Sequence, residues 1–322
     1  MSRQIVLCSL ILLIAGFANP APAEKNLVRP PGTTRYAAMV TRLQELARDD
    51  KYGRLTLGSI GRSVRGRTLW LITLHDKSVD IAHTRRVFYI CRQHGHEPAG
   101  TEAALQFISD LVSADPGTPL ADDLNRVTVY IVPMANPDGA EAFLRHNAHD
   151  VDLNRDWLAR REPETRALYR AIEAMHPDIV ADQHELYPTD SRGDLTEAAA
   201  PGSGADAKVV SVCESLQDRV RLALGEAGHV VTSHWVDDHR PARLAHRFWS
   251  VRAHIPAILF ESARHEGSGR SVAERAALHR QFMGVVLGYL AEDGKGKPTV
   301  PPSTVPFPNN NPGATVPTPG QE

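Results

Sequence analysis

The sequence predicts an α/β fold with a mixed, largely parallel central sheet covered by helices. Short runs rich in β-branched and aromatic residues recur along the chain, and helical periodicity fills most of the intervals between them. That alternation runs without a linker from Glu24 to about residue 294, a length that suits one large domain.

The first helix is expected over Tyr36 to Ala47, where Met39, Val40, Leu43, Leu46 and Ala47 share a face. Strands follow at Leu69–Leu74, Val87–Ile90, Val127–Val132, Asp178–Ala181 and Ile258–Phe260, each a compact apolar run. Helices are expected at Thr101–Val112, Glu162–Met175, Ala207–Leu224 and Val272–Leu290. Apolar residues make up 42% of the chain and charged residues 23%, as in ordinary globular proteins, so the bulk of it can bury a core.

The two ends differ from this middle. Met1-Ser2-Arg3, the apolar run Ile5–Phe17 and Pro20-Ala21-Pro22-Ala23 have the order of a secretory signal over residues 1–23, which implies a secreted or periplasmic protein. The apolar run is shorter than the roughly 20 residues of a spanning helix, so no membrane span is expected after cleavage. Residues 295–322 hold eight prolines in 28 positions and form an expected disordered tail. Cleavage would leave Cys91 and Cys213, which either pair or stay free; Cys91 ends an apolar strand and reads as a small buried hydrophobe. With 36 basic and 38 acidic residues interspersed, the chain has no electrostatic footprint for nucleic acid.

The groups able to do chemistry gather where apolar strands stop. His94 and Glu97 lie in Gln93-His94-Gly95-His96-Glu97-Pro98, between a strand and a helix that Pro98 helps to start. An H-x-x-E spacing is weak alone in a chain with 15 histidines. It gains support from His184, expected just after the strand that begins at Asp178, and from Glu261, expected just after Phe260. Two imidazoles and one carboxylate leave zinc an open position for water, and Glu261 is then the neighbouring base. The competing reading makes Glu261 a buried carboxylate paired with Arg264 or another base. His96 is two residues from His94 and points the other way in extended chain, while His146, His149, His176, His234 and His265 read as solvated or structural.

These segments, in this order, resemble the zinc carboxypeptidase family, the group that includes the pancreatic carboxypeptidases. The resemblance spans roughly residues 36 to 290 and is carried by Ser59-Ile60-Gly61-Arg62-Ser63, Gly66-Arg67-Thr68-Leu69, the His94–Pro98 loop, Asn136-Pro137-Asp138-Gly139, Arg145, Asp152-Leu153-Asn154-Arg155, Asp182-Gln183-His184 and Phe260-Glu261. It implies one Zn2+ per chain held by His94, Glu97 and His184, Glu261 as general base, and Arg145 as the group that polarises the scissile carbonyl. It further implies that Asn154 and Arg155 receive the free C-terminal carboxylate of a peptide substrate, which agrees with the bidentate chemistry of guanidinium. Alternatively, Arg155 forms an interior ion pair with Asp152 or Asp156, or Asp152 instead orients a ligand histidine.

The sequence departs from the family in one respect, since Val230 to Phe260 contains no counterpart of the tyrosine that the family often carries on a mobile loop. His239 stands near that place. The same stretch holds Arg240, Arg243, His246, Arg247 and Arg252, read as a solvated basic helix face in preference to a pocket for acidic side chains. An acyl-amino-acid deacylase or cell-wall peptide amidase shares parts of the pattern, and a peptide-binding module without catalysis is the reading from another class.

Overall fold

The computed structural model describes residues 27–236, 243–264 and 266–293. The expected signal segment, the Pro-rich tail, His239, Arg240 and His265 lie outside them. Helix α1 (Tyr36–Asp49) leads into the hairpin β1 (Leu55–Arg62) and β2 (Thr68–Leu74), then β3 (Arg85–Cys91), α2 (Ala99–Ser113), α3 (Pro119–Leu124) and β4 (Val127–Val132). Next come α4 (Pro137–Ala142), α5 (Pro163–Met175), β5 (Ile179–Glu185), β6 (Asp194–Ala199), α6 (Ala207–Glu226), β7 (Val231–Val236), α7 (Ala245–Val251), β8 (Ala257–Ser262) and α8 (Val272–Asp293).

The described strands form one eight-stranded sheet in the order β1-β2-β4-β3-β5-β8-β6-β7. The central run β4-β3-β5-β8 is parallel, and antiparallel pairings join β2 to β4 and β6 to β8. The mixed, mainly parallel sheet expected from the sequence is therefore present. All five expected strands and all five expected helices form, whereas β1, β6 and β7 were not foreseen. β1 carries Gly58 and Gly61 and a register shift between Ser59 and Gly61, which breaks its alternation. β6, Asp-Leu-Thr-Glu-Ala-Ala, has weak strand propensity and is held by β8 on one side and β7 on the other.

The sheet is covered on both faces. On one, Tyr89, Ala181, Ile258 and Phe260 pack with α2, α6 and α8, and Phe260 stacks on Phe282 with ring centres 4.9 Å apart. On the other, Phe88, Val180 and Ala257 pack against Leu168 and Ile172 of α5 and Phe248 and Trp249 of α7. Cys91 and Cys213 are buried and free, as the unpaired reading expects. Among the described residues no helix is long and apolar enough to cross a membrane.

Candidate active site

The site lies at the C-terminal ends of β3, β5 and β8, where open α/β sheets place ligands. His184 and Glu261 were expected just beyond their strands, but both lie within them. β5 runs to Glu185 and β8 to Ser262, with His184 opposite Glu261 in parallel register. The ladder outlasts the apolar runs because the polar side chains leave the sheet while their backbones stay paired.

A left-handed turn at Arg92 (φ 59°) takes the chain out of β3 into the His94–Glu97 loop. Arg92 is fully buried and holds that loop, its Nε donating to Gly95 O at 3.0 Å and its Nη1 to Thr34 O at 2.9 Å. Gly95 is required by close approach: a Cβ there would come within 2.0 Å of the Gly139 backbone. The Asn136 side chain clamps the same junction, Nδ2 donating to Gln93 O and Arg145 O while Oδ1 accepts from Gly139 N. Asp138 in turn accepts from Ser63 Oγ, Arg65 N and Arg67 Nη1. The segments around Ser63 and Arg67 thus support the Asn136–Gly139 loop, which supports the loop carrying His94 and Glu97.

His94, Glu97 and His184 are all buried, with candidate ligand atoms within 4.8 Å of one another, and they are the only such group of three or more among the described residues. His94 Nδ1 is 2.8 Å from Glu97 Oε1, His184 Nδ1 is 3.0 Å from Glu97 Oε2, and the two Nδ1 atoms are 3.1 Å apart. The far nitrogens face carboxylates: His94 Nε2 to Asp152 Oδ1 and His184 Nε2 to Asp182 Oδ2, both at 3.0 Å. Donating from each Nε2–H leaves two Nδ1 lone pairs and a carboxylate converging on one point. That arrangement calls for a cation, and two histidines with one glutamate is a zinc donor set.

The pocket favours positive charge, whether a proton or a metal ion. Burial pushes the Glu97 carboxyl upward, but the charge of His94 and the hydrogen bonds from both imidazoles hold it well below the usual range. Burial pulls His184 down, yet Asp182 and Glu97 outweigh it and raise it well above the ordinary imidazole value. Asp152 joins two of the expected groups, accepting from Arg145 Nε at 2.9 Å while it faces His94. Arg145 Nη1 stands 3.6 Å from Glu97 Oε1, and the guanidinium carbon lies 5.0 Å from the centre of the Tyr187 ring.

Glu261 is half-buried, and burial raises its carboxyl above the ordinary value. The Arg264 guanidinium donates to Leu186 O and His96 O, so the proposed Glu261–Arg264 pair does not form. Arg155 is exposed and its Nη1 donates to Asn154 O at 3.1 Å, without an ion pair to Asp152 or Asp156 among the described residues. Its neighbour sits differently. Asn154 is buried, Oδ1 accepting from Ala245 N at 2.8 Å and Nδ2 lying 3.1 Å from His184 Nε2.

Sequence reasoning missed the group behind His184: Trp157 Nε1 donates to Gln93 Oε1, and Gln93 Nε2 to Asp182 Oδ1. The signal for Asp182 was available, since residues two apart on a strand share a face. The basic stretch also needs correction. His246 is fully buried and Arg247 largely so, both turned toward Glu197 of β6, because α7 packs its apolar residues Phe248 and Trp249 onto the sheet and carries these neighbours inward. Solvent exposure fits Arg243 and Arg252, which flank α7 on either side.

A zinc carboxypeptidase family model matches residues 39–170, which include His94, Glu97, Arg145, Asn154 and Arg155. The chain resembles the zinc carboxypeptidases. It is 37% identical over 123 residues to carboxypeptidase SOL1 of Arabidopsis thaliana, covering 35% of this chain and 25% of that one. Against carboxypeptidase M of Mus musculus it is 33% identical over 155 residues, covering 41% and 34%. The chain thus spans about a quarter to a third of these relatives' length. A metallo-carboxypeptidase from Burkholderia cenocepacia superposes with a TM-score of 0.68 at 24% identity, covering 81% of this chain and 70% of that chain. One from Pseudomonas aeruginosa, in complex with (2-guanidinoethylmercapto)succinic acid, gives 0.62 at 22% identity, covering 79% and 68%. At those identities the likeness is one of fold, and the fold is the carboxypeptidase fold expected from the sequence.

Proposed function

We propose that the chain is a zinc metallocarboxypeptidase that removes the C-terminal residue of peptides. The convergence of His94 Nδ1, His184 Nδ1 and the Glu97 carboxylate, with Glu261 on the adjacent strand, carries this reading. Zinc held there supplies Lewis acidity, polarising a carbonyl and making water a stronger acid. Glu261 takes the proton of the attacking water and passes it to the leaving amine, and its raised pKa brings it closer to the range where a general base works at neutral pH. Arg145, held by Asp152 against the donor cluster, donates to the oxygen on which negative charge develops.

Arg155, exposed and without an ion-pair partner among the described residues, receives the substrate carboxylate. Asn154 joins it through its amide Nδ2, the donor a carboxylate requires, while Oδ1 stays on Ala245 N. The proposal includes export through the segment Met1–Ala23, in which case N-terminal sequencing of the secreted protein begins at Glu24. The test of the reaction is mass spectrometry of a mixed peptide library, N-acyl amino acids and cell-wall stem peptides after exposure to the zinc-loaded protein. Sequential loss of single C-terminal residues is expected, with turnover reduced about 100-fold or more in Glu261→Gln at unchanged zinc content. Internal fragments as first products would contradict the proposal, and deacylation with peptides untouched would select the deacylase instead.

A further inference from the structure

The end of the sheet opposite the proposed metal site holds a cavity of about 330 Å³ that the reaction does not use. It lies where β3, β5 and β8 begin, and residues from both helical layers close it. His176 comes from the end of α5, Asp206 and Lys208 from the start of α6, and Leu290 from the last turns of α8. That volume falls at the small end of the range of ligand pockets, roughly 300 to 1,000 Å³.

The charges that line it are unevenly matched. Asp178 is engaged, accepting from Arg85 Nη1 at 2.7 Å and from Arg86 N at 2.8 Å. Asp206 caps α6, accepting from Val209 N at 2.9 Å, and its other oxygen stands 3.3 Å from His254 Nδ1. Cations are left over. Arg86 is 3% exposed, yet its Nη1 reaches Met175 O and His176 O only at 3.5 Å, the outer limit of a hydrogen bond, and its Nη2 has no partner. No carboxylate pairs with that guanidinium among the described residues, and a buried cation in this state is costly and calls for an explanation. Lys208 is exposed at the rim, in the first turn of a 20-residue helix whose N-terminus favours negative charge. His176 and His254 take left-handed turns after α5 and α7, with φ of 45° and 54°, and both line the cavity. Glycine fills such positions at least cost, so the helix ends alone do not require a side chain at either.

We infer that this cavity binds a small amphipathic anion, a short apolar chain ending in one carboxylate or phosphate group. The chain lies on the apolar lining of Ile179, Val209, Val212, Ile255 and Leu290, and the anionic head answers the unmatched charge of Arg86 and Lys208. The N–H groups that open α6 favour the same sign of charge. A cationic head finds no comparable partner, because Asp178 and Asp206 are already engaged. An uncharged ligand would leave Arg86 without a counter-charge. The cavity sits at the other end of the three strands that carry the proposed catalytic groups, so the inference stands without the carboxypeptidase reading.

Methyl-labelled NMR on the zinc-loaded chain tests this and reports where a ligand sits, which separates the cavity from the active site. Octanoate and octyl phosphate are compared with octylammonium, which has the same chain and the opposite charge. At least one of the anions is expected to shift the methyl signals of Ile179, Val209, Val212, Ile255 and Leu290 with a Kd below about 1 mM, the tighter of the two naming the head group. Octylammonium should bind there about tenfold or more weakly. Arg86→Met and Lys208→Gln should each weaken the anions about threefold to tenfold and leave octylammonium unchanged or tighter. Arg86→Met also separates a ligand site from a structural cap on α5. Its thermal unfolding midpoint should be unchanged or higher, because a buried charge without a counter-charge has been removed. Stationary methyl signals, octylammonium binding as tightly as the anions, or anion affinity that survives both substitutions would each overturn the inference. So would an Arg86→Met chain that loses stability while keeping its anion affinity. Should Arg86→Met fail to fold, Lys208→Gln decides, since unchanged anion affinity in that variant contradicts the inference.

Discussion

Along β5, Asp182 and His184 point toward the metal centre while Gln183 and Glu185 point to the opposite face, and all four side chains are buried. The front pair ends in unsatisfied chemistry: His184 Nδ1 shares its position with a second imidazole and a carboxylate. Everything behind it is matched, through Asp182, Gln93 and Trp157. The back pair is closed on itself. Gln183 bridges Cys91 Sγ and His279 Nδ1, His279 Nε2 meets Ser262 Oγ, and Glu185 pairs with Arg275 while accepting from Ala99 N at the start of α2. A strand with polar residues buried on both faces is costly unless every partner is supplied. Here the front face spends that cost on a ligand site and the back face on a rigid frame beneath it.

The comparison can be broken in three ways. His184→Ala should have the largest effect, abolishing stoichiometric zinc while the chain still folds; a zinc content near one per chain in that variant would remove His184 from the site. Arg275→Leu leaves Glu185 buried without its cation and should destabilise by about 3 to 5 kcal/mol in denaturant unfolding, with zinc stoichiometry unchanged. Loss of zinc at unaltered stability would mean that the back face holds the metal and not the frame. Asp182→Asn keeps shape but removes the charge behind His184 and should weaken zinc about 10- to 100-fold in competition with a chelator. An unchanged affinity would make the Trp157–Gln93–Asp182 chain a packing feature.

The sequence disclosed the chemistry more fully than the geometry around it. His94, Glu97 and His184 were legible because spacing and strand ends bring them together, and the five apolar strands were legible because burial on both faces leaves uninterrupted runs. β6 was not, since Asp-Leu-Thr-Glu-Ala-Ala becomes a strand only through pairing with β7 and β8. Glu197 lies on that strand, so its approach to His246 and Arg247 was hidden with it. The basic residues of α7 were read as solvated because charge in sequence does not reveal which side of a short helix the aromatic pair Phe248 and Trp249 draws inward. Asn154 and Arg155, adjacent in sequence, were read as one anchor, yet the helical turn Leu153–Arg155 sends one inward and the other to the surface.

The central claim is that this site works on a chain end. Its most direct test compares specificity constants for one peptide as free acid and as C-terminal amide, in the wild type and in Arg155→Ala. The free acid should lose single residues while the amide is nearly inert, and Arg155→Ala should cost the acid about 2 to 5 kcal/mol of transition-state binding and the amide much less, so that the preference shrinks. Equal cleavage of acid and amide by the wild type would contradict the account, because nothing at Arg155 would then be fixing the scissile bond one residue from the end.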